Sequence, residues 1–310
     1  MRDREIGRLV RTAGYADREA LVVGLSRRGA GPVFVCRGPY TATSLVYAAS
    51  LAKQVVAACA LLLARRGVLA ADEPLSPRLP ELPGWAAGVR LRHLVHHTGG
   101  LLDDELVDAR LTGDRTTAAV LGALTALPFP ARPPATAYAY SNAGYVCLAE
   151  VVRRAAGRPL PGLAHELLFA PLGMRMSRFW DGSGPAPPGA RPLAPLHPAP
   201  LSLGDGGLWT TAADLLRWAD ALNTGALGES GLLQTPGRLD DGTPLDYAWG
   251  MGVRRRHGYT HYRHGGGWPG VRTVLARVPD RGLGLVVVAP GDATERAAAL
   301  TDLLLERLLS

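Results

Sequence analysis

Apolar, β-branched segments lie at both ends of this chain, and the sequence between them has mostly helical periodicity. Near the start, 21–26 and 32–37 are two such runs separated by a glycine-containing turn, which is typical of an antiparallel hairpin. Four more runs occupy the last third of the chain, at 248–254, 259–263, 271–278 and 284–289. Because half-buried strands must pair to cover their apolar faces, this arrangement predicts one antiparallel sheet built from both ends of the chain.

Helical periodicity is found in the middle of the chain, and one further helix is predicted at each terminus. A helix at 50–66 is apolar around nearly its whole circumference, so it is expected to be buried, and Gly67 is expected to end it. A helix near 212 is expected to be capped by Thr210 or Thr211. Further helices are predicted at 3–14, 91–97, 116–127, 143–156, 212–222 and 292–309, and an extended loop at 181–200.

These patterns together predict a mixed α+β fold. We expect one antiparallel sheet flanked by the terminal helices, with an all-helical lobe inserted into it. The boundaries predicted are a sheet lobe of residues 1–66 and 205–310, and a helical lobe of residues 67–204. A chain of 310 residues is long enough for one such two-lobed unit.

The charge and cysteine content exclude several classes of protein. The net charge is +7, but the basic residues are scattered and not interleaved with aromatics, which argues against nucleic-acid binding. The densest run, 254–257, is expected to be a solvated hairpin tip outside any pocket. No signal-peptide core follows the charged N-terminus and no run could span a bilayer, so we expect a cytoplasmic protein without a membrane partner. The three cysteines have no paired spacing.

Lys53 is the only lysine among the 34 lysine and arginine residues, and it follows Ser50 by three positions. Arginine keeps its proton in a protein, whereas a desolvated lysine can release it. On a helix, residues three apart share a face, so the amine of Lys53 could take the proton of the Ser50 hydroxyl. The alternative is that coding bias removed the other lysines and this one remained by chance.

Two further motifs follow, Tyr140-Ser141-Asn142 at the start of a predicted helix and His264-Gly265-Gly266-Gly267 after a predicted strand. A glycine run after a strand lets a substrate approach the backbone closely. Each motif also has a structural interpretation: Tyr140 could be a core tyrosine, Asn142 a helix cap and His264 a surface strand residue.

In this order and on these elements, the three motifs resemble the serine β-lactamase and penicillin-binding-protein superfamily, and most of all its class C β-lactamase, DD-peptidase and esterase branch. The resemblance covers most of the chain, and it implies a β-lactamase-like α+β fold whose antiparallel sheet is five-stranded. It extends to the segments 91–101, 247–252 and 279–289.

The resemblance implies a role for each residue at the interface of the two lobes. Ser50 would be the acylated nucleophile and Lys53 would accept its proton. Tyr140 would be a partner base whose pKa is lowered by nearby cations. Asn142 would orient Lys53 and bind the substrate amide, and His264 would donate a hydrogen bond toward Tyr140 or the substrate.

The glycine run would complete this site. The backbone N–H groups of Ser50 and Gly267 would form the oxyanion hole, and Gly265 and Gly266 would contact the substrate. We further expect His264 to titrate near pH 6.5 and to make kcat/KM change in that region.

Other motifs carry less weight. Gly265–Gly270 formally matches a dinucleotide fingerprint, but a strand follows it where a helix is needed. His93, His96 and His97 lack the glutamate of the H-E-x-x-H pattern, so no metal is expected, and no cofactor is indicated. No Gly-x-Ser-x-Gly motif occurs, which argues against an α/β-hydrolase.

The sequence therefore predicts a serine hydrolase that forms an acyl-enzyme with a small ester, amide or thioester. The third motif lacks the lysine and hydroxyl residue that help relatives hold a carboxylate, which favours a neutral acyl donor. One alternative is an acyltransferase or peptidyl transferase of small-molecule or natural-product biosynthesis, which would need an acyl acceptor. Another is a non-catalytic ligand-binding protein that uses the same cleft.

Overall fold

The computed structural model describes residues 3–101, 104–127, 131–194, 197–228, 230–291 and 294–310. Within these ranges the chain forms a mixed α/β structure with two antiparallel sheets. The strands are β1 (Leu21–Arg27), β2 (Ala30–Arg37), β3 (Val46–Tyr47), β4 (Arg178–Phe179), β5 (Leu208–Thr210), β6 (Gly252–Arg256), β7 (Tyr259–Trp268), β8 (Val271–Val278) and β9 (Leu283–Pro290).

The main sheet joins the two ends of the chain, as predicted. Its strand order is β2-β1-β9-β8-β7-β6, and β1 pairs with β9 in a register that sets Val23 opposite Val287. The sheet has six strands, so the predicted count of five is wrong. The sixth strand, β6, is a short edge strand with three consecutive arginines, and it begins four residues after the start of the run predicted at 248–254.

The described helices cover both faces of this sheet. They are α1 (Asp3–Thr12), α2 (Ala52–Arg65), α3 (Leu91–Val95), α4 (Asp104–Asp108), α5 (Thr117–Thr125), α6 (Asn142–Ala156), α7 (Leu160–Ala164), α8 (Ala212–Thr224), α9 (Ser230–Leu233) and α10 (Thr294–Leu309). The predicted start of the last helix, 292–293, lies outside the described residues.

The terminal helices α1 and α10 pack on one face of the main sheet. Ile6 and Val10 of α1 and Leu300 and Leu304 of α10 are fully buried in the apolar cluster that also contains Val287. The opposite face packs against α8, and its side chains join those of α8, α2 and α6 in a second and larger apolar cluster. Since both faces of the central strands are covered, β9 is apolar at nearly every position.

Local signals set the ends of several helices where the sequence predicts them. The Thr211 side chain accepts a hydrogen bond from the backbone N–H of Asp214 at 3.1 Å and so caps α8. Gly67 follows α2 with a φ of +70°, a conformation that glycine adopts at low cost. Several short elements were not predicted, among them β3, β4, β5, α4, α7 and α9.

The glycine run lies inside β7 and not after it, because the strand continues to Trp268. A Cβ atom at Gly266 would lie 2.1 Å from the carbonyl oxygen of Ala48 and 2.4 Å from Oγ1 of Thr273. The Thr273 hydroxyl also donates to that carbonyl at 3.0 Å. The absence of a side chain at Gly266 therefore lets the sheet contact the segment that leads into α2.

The division into lobes at residues 66/67 and 204/205 stays a prediction. In the described part of the chain, every helix is too short or too polar to cross a membrane.

Candidate active site

Ser50 lies in a tight 3₁₀ turn, Ala49–Leu51, that joins β3 to α2. Ala49 has a φ of +48°, which an L-residue with a Cβ adopts at a cost of about 1 kcal/mol or more. The turn sits against the glycine run of β7, and Ser50 itself is half-buried. A strained turn held between a sheet and a buried helix fixes the hydroxyl at the N-terminal end of α2.

Lys53 is fully buried on the first turn of α2. Its Nζ donates to Ser50 Oγ at 3.1 Å, to Asn142 Oδ1 at 2.7 Å and to the carbonyl oxygen of Asp205 at 3.1 Å. Burial lowers the pKa of Lys53 to about 8, although the carboxylates of Asp205 and Asp104 act in the opposite direction. The amine is therefore partly neutral near neutral pH and lies within reach of the Ser50 proton, as the spacing predicts.

Asn142 is the first residue of α6, but it is not the cap of that helix. The cap is Ser141, whose Oγ accepts from the backbone N–H of Gly144 at 3.0 Å. The carboxylate of Asp104 accepts from the backbone N–H groups of Asn142 and Ala143 at 2.9–3.1 Å. The helix terminus is thus satisfied by other groups, which leaves the Asn142 amide oxygen to bind Lys53.

Tyr140 lies across the cleft from Lys53, with the Nζ atom 4.9 Å from the centre of its ring. Tyr140 is 40% exposed, so the interpretation as a core tyrosine is wrong. Burial of its hydroxyl end raises the pKa of Tyr140 above the ordinary value, while a hydrogen bond with Ser50 partly opposes that shift. The expected lowering of this pKa is therefore wrong, because desolvation outweighs the hydrogen bond with Ser50 and the carboxylates of Asp104 and Asp205 raise the pKa further.

His264 is only 8% exposed, so the interpretation as a surface strand residue is wrong. Its Nδ1 lies 2.7 Å from the carbonyl oxygen of Gly265, which can only accept, so Nδ1 carries the proton. The other ring nitrogen, Nε2, then accepts from the Tyr247 hydroxyl at 3.1 Å. Burial and the charge of Lys53 lower the pKa of His264 to about 4.

The expected titration of His264 near pH 6.5 is thus not supported. The ring stays neutral through the neutral range, and its hydrogen bonds run to Gly265 and Tyr247, so the expected hydrogen bond from His264 to Tyr140 is not formed. Its ring centre lies 6.1 Å from that of Tyr140, so the two rings share the cleft wall.

The three glycines of the run have different surroundings. Gly265 is exposed and lines the cleft beside Tyr140 and His264. Gly266 is buried under the Ser50 turn, whereas Gly267 is exposed and pairs with Arg272 across β7 and β8. The oxyanion and substrate-binding roles of these glycines stay predictions.

Asp205 is a site residue that the sequence did not reveal. Its carbonyl oxygen binds Lys53, and its carboxylate accepts from Ser202 Oγ and from the Arg115 guanidinium at 2.9–3.2 Å. Asp205 is 152 residues from Lys53 in the chain, and no local pattern connects the two. The carboxylate pairing holds the loop so that its carbonyl faces the amine.

His97 is a second residue whose place the sequence did not reveal. It is buried, has a φ of +56°, and its Nδ1 accepts from the backbone N–H of Ser141 at 3.1 Å. Its ring packs on Tyr140 and Tyr247 at centroid distances of 4.3 and 4.7 Å. His97 therefore supports the segment that carries both Tyr140 and Asn142.

The other two histidines of that segment turn to separate partners. His93 Nδ1 accepts from the backbone N–H of Arg90, and His96 Nδ1 bonds to the carbonyl of Arg92. Across the described ranges, no three histidine, cysteine or acidic side chains are grouped so that they could hold a metal ion.

A cleft of about 630 Å³ opens beside Tyr140 and His264. Arg254 lines it, so the expectation that the basic hairpin 254–257 lies wholly outside the pocket is wrong for its first residue. Arg254 belongs to the edge strand β6, and its guanidinium lies 3.7 Å from the carboxylate of Asp246, which also lines the cleft. The remaining wall residues include Tyr138, Tyr247, Arg263 and Gly265.

The fold and the three motifs are those of the serine β-lactamase and penicillin-binding-protein superfamily, a class of serine hydrolases. Within it the chain belongs to the Beta-lactamase family, whose family model matches residues 7–309.

The chain is also similar in sequence to named proteins. The chain is 30% identical to the D-aminopeptidase of Cereibacter sphaeroides (strain KD131) over 93% of its own length and 55% of the relative's. It is 26% identical to penicillin-binding protein 4* of Bacillus subtilis (strain 168), over 78% of this chain and 60% of that protein. The chain thus spans little more than half the length of these curated relatives.

Solved structures confirm the fold. The D-amino acid amidase of Ochrobactrum anthropi SV3, in complex with L-phenylalanine, superposes with a TM-score of 0.82 at 19% identity and covers 99% of both chains. A penicillin-binding protein from Bacillus halodurans superposes with a TM-score of 0.79 at 22% identity, over 96% of this chain and 98% of that one.

Proposed function

We propose that the protein hydrolyses an amide bond through an acyl-enzyme on Ser50, and that its acyl donor carries an amino acid of D configuration. The observation that carries the proposal is the buried Lys53 amine, held between Ser50 Oγ, Asn142 Oδ1 and the Asp205 carbonyl. The D-aminopeptidase relative supports the class of substrate.

Acylation begins with the neutral form of Lys53. Its amine takes the proton of the Ser50 hydroxyl as Oγ attacks the substrate carbonyl carbon, and the carbonyl oxygen becomes the oxyanion. In our proposal the backbone N–H groups of Ser50 and Gly267 bind that oxyanion, a contribution of about 10²–10³ in rate for each donor. The lowered pKa of Lys53 supports this role, because an amine with the ordinary pKa would be almost fully protonated at pH 7.

The leaving amine needs a proton when the tetrahedral intermediate collapses. Tyr140 is suited to donate it, since its raised pKa keeps the phenol protonated and its hydroxyl is hydrogen-bonded to Ser50. The phenol is then reprotonated by the Lys53 ammonium, 4.9 Å from the Tyr140 ring centre. In deacylation a water molecule takes the place of the leaving amine and attacks the acyl carbon. Its proton passes to Tyr140 as the Tyr140 proton returns to Lys53, and the Lys53 ammonium then protonates Ser50 Oγ as the acid is released.

Intact-mass spectrometry tests the nucleophile. We expect a D-alanine p-nitrophenyl ester to add one acyl group that peptide mapping assigns to Ser50. The Ser50→Ala variant should give no adduct, and Ser183→Ala, an exposed serine in the 181–194 loop, should give the same adduct as the wild type. An adduct on another residue, or none in the wild type, contradicts the proposal.

Turnover of matched D- and L-alanine p-nitroanilides tests the substrate class. We expect the D-isomer to have the higher kcat/KM, and equal values or a preference for the L-isomer would contradict the assignment. Adding an amine acceptor such as glycine amide separates hydrolysis from transfer, because a transferase would form the coupled amide at the expense of the free acid.

A further inference from the structure

The residue whose carbonyl oxygen binds Lys53 also carries a buried carboxylate, that of Asp205, and Arg115 pairs with it. We propose that Arg115 is a positioning residue for acylation that acts on Lys53 through Asp205: it holds this carboxylate in place and balances its charge, so that the amine can act as a base near neutral pH. The inference rests on the proposed role of Lys53 as the base, and it names the group that adjusts that base.

The guanidinium of Arg115 contacts acidic side chains on two sides. Its Nε and Nη2 atoms donate to Asp205 Oδ2 at 3.2 and 3.1 Å, and its Nη1 atom donates to the carboxylate of Asp108 on α4. Only 13% of the Arg115 side chain and 7% of the Asp205 side chain are exposed, so solvent and salt screen this ion pair weakly. Removal of the guanidinium would therefore leave the Asp205 carboxylate buried without its cation.

Uncharged titratable groups make up part of the surroundings of Lys53. The rings of Tyr140 and Tyr145 lie 4.9 and 5.6 Å from its Nζ atom, and burial raises the pKa of both phenols. Burial also lowers the pKa of His97 and of His264, and the charge of Lys53 adds to both shifts. These four side chains are therefore neutral at pH 7 and leave the charge balance to other residues.

In the described part of the chain, the charged groups that act on Lys53 are two carboxylates and one guanidinium. Burial lowers the pKa of Lys53 to about 8, whereas the carboxylates of Asp205 and Asp104 raise it. The Arg115 guanidinium acts in the same direction as burial. Asp104 is bound by backbone N–H groups at the start of α6, so its place does not depend on Arg115. Loss of the guanidinium should thus raise the pKa of Lys53.

Backbone contacts also hold the loop that carries Asp205. The carbonyl oxygen of Arg115 accepts from the backbone N–H of Leu201 at 2.9 Å. Oγ1 of Thr117 accepts from the backbone N–H of Leu203 at 3.1 Å. Because these bonds do not involve the guanidinium, we expect the loop to keep its place when the Arg115 side chain is changed, and the effect of its charge can then be measured.

The pH profile of kcat/KM for p-nitrophenyl acetate, an ester whose acyl group does not titrate, tests the proposal. In the wild type the acidic limb should have its midpoint at about 8, the pKa of Lys53. Arg115→Met should move that midpoint to higher pH by about 1 unit, the low end of the range for an unbalanced opposite charge nearby. On the acidic limb kcat/KM should fall about tenfold, and on the alkaline plateau it should approach the wild-type value.

Two further variants separate the charge of Arg115 from its packing. Arg115→Lys keeps a positive charge and should return the midpoint toward the wild-type value. Asp205→Asn keeps the backbone carbonyl that binds Lys53 and removes the negative charge, so by itself it should lower the midpoint. Combined with Arg115→Met, it should cancel most of the shift, because the two charges act on each other.

Arg217→Met is the matched control. Arg217 pairs at 2.9 Å with Asp214, another buried carboxylate, whose further bonds run to Met176 and Ser177. Its replacement should leave the midpoint of the acidic limb unchanged. Circular dichroism verifies that each variant folds, and the stoichiometry of Ser50 acylation counts the active sites.

The outcomes separate this inference from the proposed function. If p-nitrophenyl acetate does not acylate Ser50 in the wild type, or if Lys53→Met keeps the acidic limb, the proposed function itself is wrong. If the limb belongs to Lys53 but Arg115→Met keeps the wild-type midpoint, or lowers kcat/KM equally at every pH, the role of Arg115 is overturned while the acyl-enzyme stands. Should Arg115→Met fail to fold, Asp205→Asn decides, since an unchanged midpoint in that variant overturns the inference equally.

Discussion

Lys53 and Arg277 are both fully buried cations, yet their surroundings differ. Lys53 donates to three oxygen atoms within 3.1 Å, and its pKa falls to about 8. Arg277, on β8, reaches Asn223 Oδ1 at 3.3 Å and lies over the Tyr262 ring at 4.4 Å. Among the described residues its Nε and Nη2 atoms find no hydrogen-bond partner.

The difference shows that burial of a positive charge does not by itself create a reactive site. Burial lowers the pKa of Arg277 to about 10, which still leaves the guanidinium charged at neutral pH. The pKa of Lys53 is lowered into the range where a neutral amine exists, and Ser50 lies beside that amine. Catalysis requires an amine that can exist without its proton, so that it can accept the proton of a neighbouring hydroxyl.

The largest expected effect comes from removing the amine of Lys53. Lys53→Met should lower kcat/KM for a p-nitrophenyl ester by about 10³ or more, because the general base is lost while the apolar stem is kept. Arg277→Met should leave kcat/KM within about threefold. Stopped-flow acylation of both variants measures this, and a Lys53→Met enzyme within tenfold of the wild type would refute the role of the amine.

His264 offers a third kind of buried group, one that is neutral where the two cations are charged. Its pKa of about 4 lies below the ordinary value of 6.5, so the folded state resists protonation. Stability is therefore full above pH 6.5 and is lost as the pH falls toward 4, by at most about 3 kcal/mol for this group.

Urea unfolding at pH 7.5 and 4.5 checks this loss. The His264→Gln variant should lose less stability than the wild type over that interval, by about 2 kcal/mol. Equal losses in the two proteins would show that His264 does not resist protonation in the fold.

The pH dependence of acylation separates Lys53 from His264. Because the active form of Lys53 is the neutral amine and its pKa is about 8, kcat/KM should rise about tenfold per pH unit below pH 7 and level off above pH 8. A profile with its midpoint near 6.5, abolished in His264→Gln, would instead assign the titration to the histidine.

The smallest expected effect is the change in stability when Arg277 is replaced. Replacing Arg277 with methionine removes a buried charge that has no carboxylate partner among the described residues, and it keeps an apolar side chain near the Tyr262 ring. We expect the free energy of unfolding to rise by about 1–2 kcal/mol. Thermal unfolding measures the change, and a clear fall in the melting temperature would mean that the contact with Tyr262 outweighs the desolvation cost.

Periodic and local features were predictable from the sequence. The reach of Lys53 to Ser50 three positions earlier and the Thr211 cap of α8 follow from short-range pattern. The position of apolar, β-branched runs near both ends of the chain also predicted that one sheet joins them. The number of strands implied by the resemblance was one too few, because the edge strand β6, which overlaps the run predicted at 248–254, also pairs with β7.

The electrostatic state of the site was not predictable in the same way. The pKa of Tyr140 was expected to fall and instead rises, and His264 was expected to titrate near 6.5 and instead stays neutral. Both errors have one cause. Motifs indicate which charged groups share a site, but the loss of water around a side chain, which dominates both pKa shifts, depends on the folded structure.

The sequence by itself determined which groups could react, because a helix repeats every 3.6 residues and only one lysine was present to use that repeat. The three motifs together indicated Tyr140, Asn142 and His264 as their companions. Tertiary structure alone brought the Asp205 carbonyl to the amine, set Tyr247 against His264 and turned Arg254 into the cleft. Contacts between residues far apart in the chain, and the desolvation they cause, depend on how the whole chain packs and not on any local pattern.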